Sequence, residues 1–377
     1  MPIIDFNQYC YFPSLLAGDV ERLAFEELTN QARELTLPMF ELARYRTEGD
    51  FAHSIEILNN LPDGTQYLLD IDKRAAPPPY IAQNPNDPVA DAQRVAQQTQ
   101  TQQAFNAQLG QLLRPTNGFE NWRNLVAQFP DAVPVLQFTN PTMQHMNIIR
   151  QAALLSQGGA SIAMRIRSRM SEVSCQIAAQ ILALLPSSSQ LLLIFDAGQG
   201  RRDLVGRGEW IAASMDNILS QLEIEQQAGL VAVAMSNSYN APGHSGMREA
   251  VNHDWTVWNE AVEAFAFRFG DYGGSPRQNN LSAFVPRSYR ATVVHSLDQG
   301  WLIHRHENAD DPNGWVLGAQ AIRQHDAFDP IDSWGDGVIA QVADHGLGEY
   351  DASRVWHAVR VNGHLERQAR YAQEMCF

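Results

Sequence analysis

A strand–helix–strand unit within residues 161–198 constrains the fold of this chain more than any other stretch. An apolar strand that ends in arginines, SIAMRIRSRM, is followed by the helical segment SEVSCQIAAQILALLP. A second apolar strand, QLLLIFDAG, then ends in an aspartate. Two strands joined by a helix in this way lie parallel in one sheet. The unit therefore predicts a parallel sheet with charged groups at the carboxyl ends of its strands.

The same unit recurs on both sides of this stretch. Short apolar strands with turn residues at each end alternate with helices, as expected of parallel strands that are buried on both faces. This alternation predicts an α/β fold, a (β/α)8 TIM-like barrel. The alternative is an open doubly wound sheet, although no G-x-G-x-x-G fingerprint follows any strand. The predicted strands span residues 9–16, 37–43, 66–71, 133–138, 161–166, 191–195, 230–234 and 264–269.

Two parts of the chain depart from this alternation. Residues 75–118 are rich in Pro, Gln, Asn and Ala, so we predict a surface insertion after strand 3 with one glutamine-rich helix. We place the barrel in residues 1–275 and a C-terminal α+β subdomain, packed on it, in residues 276–377. Residues 249–261 are predicted to be helical. Within the subdomain we predict strands over 290–304 and 338–342 and a terminal helix over 352–371.

Composition limits the class of protein. The chain has 377 residues, 45% of them apolar, and a net charge of −15. Such a negative field disfavours binding to an extended nucleic acid. The three cysteines have no C-x-x-C spacing, which is typical of a reducing compartment. No apolar run approaches the length of about 20 residues that a membrane span needs. We therefore expect a cytoplasmic protein with no membrane partner.

Charged residues cluster where the predicted strands end. The carboxyl ends of barrel strands face one common mouth, where active sites lie. Arginine offers a planar donor fork that suits phosphate or carboxylate. We predict catalytic carboxylates at Glu41, Asp70, Asp196 and Asp271. We predict ligand-binding side chains at Lys73, Arg165, Arg167 and Tyr272.

A purely structural role is the alternative for these residues. Glu41 with Arg165, and Asp196 with Arg167, would then form a buried salt-bridge network that closes the top of the barrel. Arg169 extends the group of Arg165 and Arg167. Further arginines at positions 201, 202 and 207 either form a solvated face or join that group in an anion-attracting strip along the same rim.

A metal site is a further possibility for the acidic residues. Glu41, Asp70 and Asp72 are the candidate trio for Mg²⁺ or Mn²⁺. In the alternative, the two aspartates only flank Lys73. No histidine lies near these acids, which disfavours zinc. We assign no metal ligand and leave the cofactor open.

Several segments carry a resemblance to a known family. They are YFPSLLAGDVERLAFEELTNQARELTLPMFEL near the start, then AMRIRS, LIFDAG and FRFGDYGG, and finally SWGDGVI and VWHAVRVNGHLERQ. They are similar to the phage and bacterial beta protein family over nearly the full length. The resemblance implies a barrel-like fold and an origin in phage genomes or phage-defence neighbourhoods. It implies no reaction.

The chain also departs from that family pattern. Leu16 and Gly18 stand where the family carries lysines, and an R-Y-T segment is represented by residues 289–291. A pair of histidines is represented by Gly363 and His364. The remaining ligand-binding candidates lie in these C-terminal segments: Arg290, Asp336 and His364.

Two functions are consistent with these residues. The first is a phage-conflict protein, from a phage or from anti-phage defence, whose charged mouth binds a phosphate-bearing ligand such as a nucleotide or a nucleic-acid end. Whether it also hydrolyses that ligand is open. The second is a non-catalytic sensor or adaptor that binds a protein partner through the insertion and the tryptophan-rich C-terminal part.

Overall fold

The computed structural model of the protein describes residues 1–45, 48–76, 88–200, 204–239, 243–276 and 290–376. Its strands are β1 (Tyr11–Leu16), β2 (Met39–Leu42), β3 (Tyr67–Ile71), β4 (Ala132–Pro134), β5 (Ile162–Arg167), β6 (Leu191–Gln199), β7 (Val231–Asn237), β8 (Gly246–Val251), β9 (Arg268–Asp271), β10 (Thr292–Leu297) and β11 (Gly300–Arg305).

The helices lie mostly between these strands. They are α1 (Asp19–Glu26), α2 (Asn30–Leu35), α3 (Ala52–Asn59), α4 (Pro88–Leu112), α5 (Thr116–Val126), α6 (Pro141–Leu155), α7 (Ser171–Leu184), α8 (Arg207–Leu219), α9 (Ile224–Gln227), α10 (Asp254–Val262), α11 (Gly314–Arg323), α12 (Trp334–His345) and α13 (Ser353–Cys376).

The larger sheet forms a nearly closed barrel. In the described part of the chain it contains eight strands in the order β4-β3-β2-β1-β9-β7-β6-β5, and every neighbouring pair is parallel. The two end strands also approach each other, because Val135, just after β4, forms a parallel bridge with Ala163 of β5. The amide of Leu136 donates to the Ala163 carbonyl over 2.8 Å. The α/β class and the barrel predicted from the sequence are therefore present.

The strands divide their side chains between two apolar cores. In β6, Leu192 belongs to a cluster inside the barrel, and Leu193 belongs to the cluster between barrel and helices. In β5 the same alternation puts Ala163 inside and Met164 outside. Side chains two residues apart on a strand share a face. Arg165 therefore follows Ala163 into the barrel, at the carboxyl end of β5.

The smaller sheet differs from two of the predictions made from the sequence. It is antiparallel, in the order β10-β11-β8. Residues 290–304, predicted as one strand, are largely the hairpin of β10 and β11. The helix predicted over 249–261 begins only at Asp254, because Glu249 lies in β8 and pairs with Leu302 of β11. Strand preference depends on such cross-strand neighbours more than on local sequence.

The strand predicted over residues 338–342 is also wrong, because these residues lie in α12. A short apolar run does not distinguish a strand from a buried helix. The helix begins with a cap, in which the amide of Asp336 donates to the Ser333 hydroxyl over 3.1 Å. Its buried side chains then follow helical spacing: Val338, Ile339 and Val342.

The predicted insertion carries one long helix, α4. Residues 77–87 lie outside the described residues. The C-terminal half of α4 contributes buried side chains to the main core, namely Phe105, Leu109 and Leu112, and the rings of Phe51 and Phe105 lie 4.8 Å apart. A deletion that spares the fold is therefore expected to end before Phe105. The assignment of residues 75–118 to an insertion and of 276–377 to a subdomain stays a prediction.

A glycine pair in α12 provides a matched test of the packing between α12 and α13. A Cβ atom added at Gly335 would lie 2.6 Å from the Val359 carbonyl oxygen and 3.0 Å from the Gly363 amide nitrogen, whereas one at Gly337 would meet no atom within 4 Å. We expect Gly335→Ala to destabilise the protein by about 1–3 kcal/mol, because two backbones must separate. We expect Gly337→Ala to be neutral or stabilising by up to about 1 kcal/mol, because alanine favours a helix. Urea denaturation of both variants measures the difference, and equal stabilities would contradict this packing.

Candidate functional site

Arg165 lies at the centre of a buried cluster at the carboxyl ends of the barrel strands. Only 5% of the residue is exposed. Its Nε donates to Asp196 over 2.9 Å. Its Nη1 donates to Glu41 over 2.9 Å and to Asp70 over 3.0 Å, and its Nη2 donates to the Tyr272 hydroxyl over 3.0 Å. The barrel thus brings together five of the residues that the sequence nominated.

Each of the three carboxylates also accepts a second donor. The Ser14 hydroxyl donates to Glu41, and the Gln137 side-chain amide donates to Asp70 over 2.9 Å. Asp196 accepts hydrogen bonds from the Gly198 amide at 2.9 Å and from the Tyr272 hydroxyl at 2.8 Å. A buried ion pair is stable only when its remaining polar atoms are satisfied in this way.

These contacts hold the cluster in its charged form. Burial alone would lower the pKa of Arg165, but the negative charges of Asp196 and Glu41 outweigh burial and place that pKa well above its ordinary value. Burial alone would raise the pKa of Asp196, but Arg165 and Arg167 outweigh it and hold the pKa below the ordinary value. Asp196 is consequently a weak base at neutral pH.

A cavity of about 610 Å³ lies against this cluster. Among the described residues it is lined by six basic side chains and three carboxylates. The basic residues are Lys73, Arg74, Arg165, Arg167, Arg169 and Arg207, and the carboxylates belong to Glu41, Asp72 and Asp196. A chain with a net charge of −15 therefore has a cavity whose lining is positive.

Two basic groups present unshared donors to the cavity. The side chain of Arg167 is 50% exposed and shares only its Nε with Asp196, at 3.1 Å. Lys73 is half-buried, its Nζ donates to the Phe138 carbonyl over 3.2 Å, and it lies 5.2 Å from the centre of the Phe138 ring. Burial is the main reason why the pKa of Lys73 falls to about 8, although Asp70 opposes this effect.

Asp271 and His364 form a second buried cluster, which does not line the cavity. Asp271 accepts a hydrogen bond from the Tyr11 hydroxyl at 2.6 Å and lies 2.6 Å from His364 Nε2. The other ring nitrogen of His364 lies 3.2 Å from the Ser296 hydroxyl. These contacts join α13, β9 and β10. Asp271 is the neighbour of Tyr272 in the chain, so this cluster also holds one partner of Arg165 in place.

Arg290 and Asp336 do not lie at the mouth. Arg290 is exposed and donates to the Ser245 hydroxyl over 2.8 Å. Asp336 lies in the first turn of α12, where it faces His295 Nδ1 at 2.7 Å and accepts from the Ile331 amide at 2.9 Å. The S-W-G-D-G segment is therefore explained by helix capping and helix packing. Tyr289, Arg201 and Arg202 lie outside the described residues.

The acidic trio considered for Mg²⁺ or Mn²⁺ does not converge on one point. Glu41 and Asp70 both bond to Arg165, whereas Asp72 bonds to Arg74. The guanidinium thus occupies the position that a cation would need. In the part of the chain that the structure describes, no group of three or more His, Cys, Asp or Glu side chains is arranged to hold a metal ion.

Some of the residues that complete the site are not among those predicted from the sequence. Ser14 is a polar residue within an apolar strand, and Arg74 follows Lys73 directly, so both carried a usable signal. Ser174 lies within α7 and lines the cavity, but a serine in a helix has no distinguishing pattern. Arg169 also lines the cavity, as does Arg207, for which a solvated face was one of two interpretations.

Comparison with known proteins finds one family that matches nearly the whole chain. The sequence model of the family described as Beta protein matches residues 11–370. The chain is similar to "Protein beta" of Enterobacteria phage P4, with 22% identity over 385 aligned positions that cover 98% of this chain and 96% of the relative. No solved structure shows a significant match. No helix among the described residues is long and apolar enough to cross a membrane. The match to the family over nearly the whole chain shows that this protein belongs to the Beta protein family.

Proposed function

We propose that this phage-associated family member binds a phosphate-bearing ligand, such as a nucleotide or a nucleic-acid end, in the mouth of its barrel. The observation that carries this proposal is the excess of basic side chains in the 610 Å³ cavity of a strongly acidic chain. Arginine forks and a lysine ammonium group are the protein groups best suited to phosphate. The volume also lies in the range of small-ligand sites, roughly 300–1,000 Å³.

The basic side chains at the mouth have two roles: one supports the structure, and the others bind the ligand. Arg165 uses its guanidinium nitrogens on Glu41, Asp70, Asp196 and Tyr272, so it supports the floor of the cavity. Arg167, which is half-exposed, and Lys73 are placed to contact a ligand. We call the buried cluster of Arg165 with Glu41, Asp70, Asp196 and Tyr272 the clasp. In this proposal the clasp and the ligand-binding groups lie side by side at the same strand ends.

The geometry supports binding more than hydrolysis. A general base must be free to accept a proton, and its pKa should lie near the working pH. The carboxylates of Glu41, Asp70 and Asp196 are engaged with Arg165, and Asp271 is engaged with His364. We therefore propose a binding protein in which these acids are structural, and a role in conflict between phage and host in which the bound ligand is the signal.

Titration with a phosphomonoester, adenosine 5′-monophosphate, tests the proposal, and pH provides a specific signature. Lys73, with a pKa of about 8, is cationic below that pH and neutral above it. The arginines stay charged throughout, and phosphate groups lose their last proton near pH 6. We expect the affinity for the ligand to be highest at pH 7 and to fall by up to about tenfold at pH 9. The reason is that losing one favourable charge costs roughly the free energy of one pKa unit, which is a factor of ten in Kd.

Isothermal titration calorimetry at the two pH values measures this change. Lys73→Gln should bind weakly at both pH values, and Lys73→Arg should bind equally well at both. A wild-type affinity that is the same at pH 7 and pH 9 would contradict the role of Lys73. An absence of binding by any phosphate compound would contradict the proposed function.

A further inference from the structure

The N-terminus of α7 opens onto the cavity without a side chain to cap it. The residue before the helix is Met170, whose side chain makes no capping hydrogen bond. Ser168, Arg169, Met170 and Ser174, from the start of the helix and the turn before it, all line the cavity. The first amide groups of a helix have no partner within the helix and attract anions.

A buried hydroxyl group at the same place is independent support for a ligand. Ser174 is 1% exposed, lines the cavity, and its Oγ has no hydrogen-bond partner among the described residues. Buried polar groups nearly always have a partner, so an unpartnered hydroxyl calls for an explanation. A ligand oxygen in the cavity would provide the missing partner.

We infer that α7 holds the phosphate group of a small phosphomonoester, with the Ser174 hydroxyl and the first-turn amides as donors. This inference rests on the proposed function and specifies the ligand class and its position. Arg167, from the end of β5, and Arg207, whose Nη1 reaches Ser168 at 3.1 Å, flank this position in the cavity lining. The geometry is that of a phosphate subsite at a helix N-terminus.

The chemistry favours a monoester over a diester. A terminal phosphate has three free oxygens and a charge near −2, which matches several converging donors and the basic excess of the lining. A diester in a nucleic-acid chain has two free oxygens and one charge. Glu172, an exposed acid in the first turn of α7, weakens the positive field, as do the carboxylates in the lining. A polyanion would also be repelled by the net charge of −15.

Substitutions at the helix start test the inference. The probe is adenosine 5′-monophosphate, with dimethyl phosphate and a 5′-phosphorylated oligonucleotide as comparison ligands. Ser174→Ala removes one hydrogen bond to a charged group, so we expect affinity for the monophosphate to fall about tenfold or more. Because the serine hydroxyl has no protein partner, the same change should leave the melting temperature unchanged or higher. Ser214→Ala, in another buried helical serine that does not line the cavity, should leave affinity unchanged.

A second variant introduces a side chain that bonds directly to the amides of the first turn of α7. Met170→Asn places a capping side chain on the first turn, so it should raise the melting temperature and weaken monophosphate binding at least about fivefold, by competing for a charge-assisted hydrogen bond. Met170→Asp should weaken it further, because its carboxylate adds a negative charge. Thr139→Asp adds the same charge to another part of the cavity lining and should have a smaller effect than Met170→Asp.

The outcomes separate this inference from the proposed function. Monophosphate binding that is lost in Arg167→Ala but unchanged in Ser174→Ala and Met170→Asn would retain the proposed function and overturn the α7 subsite. Dimethyl phosphate or the oligonucleotide binding more tightly than the monophosphate would overturn the assignment to a small phosphomonoester. If none of the three ligands binds the wild-type protein, the proposed function fails and the inference fails with it.

Discussion

Replacing Arg165 with alanine is expected to destabilise the protein by at least about 3–5 kcal/mol, the usual cost of removing one partner from a buried ion pair. The expected loss is at the upper end or beyond, because Glu41, Asp70 and Asp196 would all lose the same cation. A typical domain has a stability of only about 5–15 kcal/mol. The variant should therefore be largely unfolded or melt far below the wild-type protein.

Low pH should partly restore the Arg165→Ala variant. Without the guanidinium, burial raises the pKa values of the carboxylates in the folded state above their unfolded values. Folding is then most favourable below the unfolded pKa and weakens as pH rises through the folded pKa. The deficit relative to wild type should shrink between pH 7 and pH 5, as measured by thermal melts.

Arg169→Ala is the matched control, because Arg169 is an exposed arginine in the turn that follows β5. Its stability should change by less than about 0.5 kcal/mol. If Arg165→Ala folds as stably as Arg169→Ala at pH 7, the cluster is not the clasp described above.

Arg167→Ala is expected to have the largest effect on binding, with little effect on stability. Its side chain is 50% exposed and shares a single nitrogen with Asp196, which retains Arg165 as a partner. Removing its unshared donors should weaken adenosine 5′-monophosphate binding by about tenfold to a hundredfold, since a hydrogen bond to a charged group is worth about 1.5–3 kcal/mol. The melting temperature should fall by only a few degrees.

A change in net charge alone must be separated from this effect. Arg323→Ala removes one positive charge from α11, where Arg323 pairs with Asp344 at the surface, and it should bind adenosine 5′-monophosphate like the wild-type protein. Calorimetric titration of both variants in the same buffer makes the comparison. Equal affinities would show that Arg167 does not contact the ligand, and an unfolded Arg167→Ala would assign that residue to the clasp instead.

The two arginines share one face of β5, because side chains two residues apart on a strand point the same way, and they differ in how far along the strand they lie. Arg165 follows Ala163 into the barrel, whereas Arg167, two residues further on, has passed the end of the sheet core and reaches solvent. Burial makes Arg165 expensive to remove, and exposure makes Arg167 available to a ligand. A single strand end thus supplies both the clasp and the proposed binding group.

The resemblance to the family was carried by short segments whose roles differ in the folded protein. R-I-R at the end of β5 contributes Arg165 and Arg167 to the mouth. The S-W-G-D-G segment caps α12 through Ser333 and allows the helix to approach α13 through Gly335. Asp336 and Arg290 lie in segments that predict ligand binding, but neither residue lines the cavity. Shared segments identify a family, but each segment needs its contacts before it can be given a role.

The sequence by itself determined the α/β class, the order of the barrel strands along the chain and the charged residues at their ends. Those features follow from local hydrophobic periodicity and from the regular alternation of strand and helix. It also paired Glu41 with Arg165 in one of its two interpretations, because a buried guanidinium needs a partner. The contact at 2.9 Å confirms that pairing.

Only the tertiary structure decided which polar groups complete the site and how the C-terminal part is built. Tyr272 lies 107 residues from Arg165 along the chain and meets it only after the barrel forms. Residues 338–342 became helical and Glu249 became part of a strand because partners distant in sequence determined their conformation. Local patterns record whether a side chain is buried. They do not record which distant group it meets, because that depends on how the whole barrel closes.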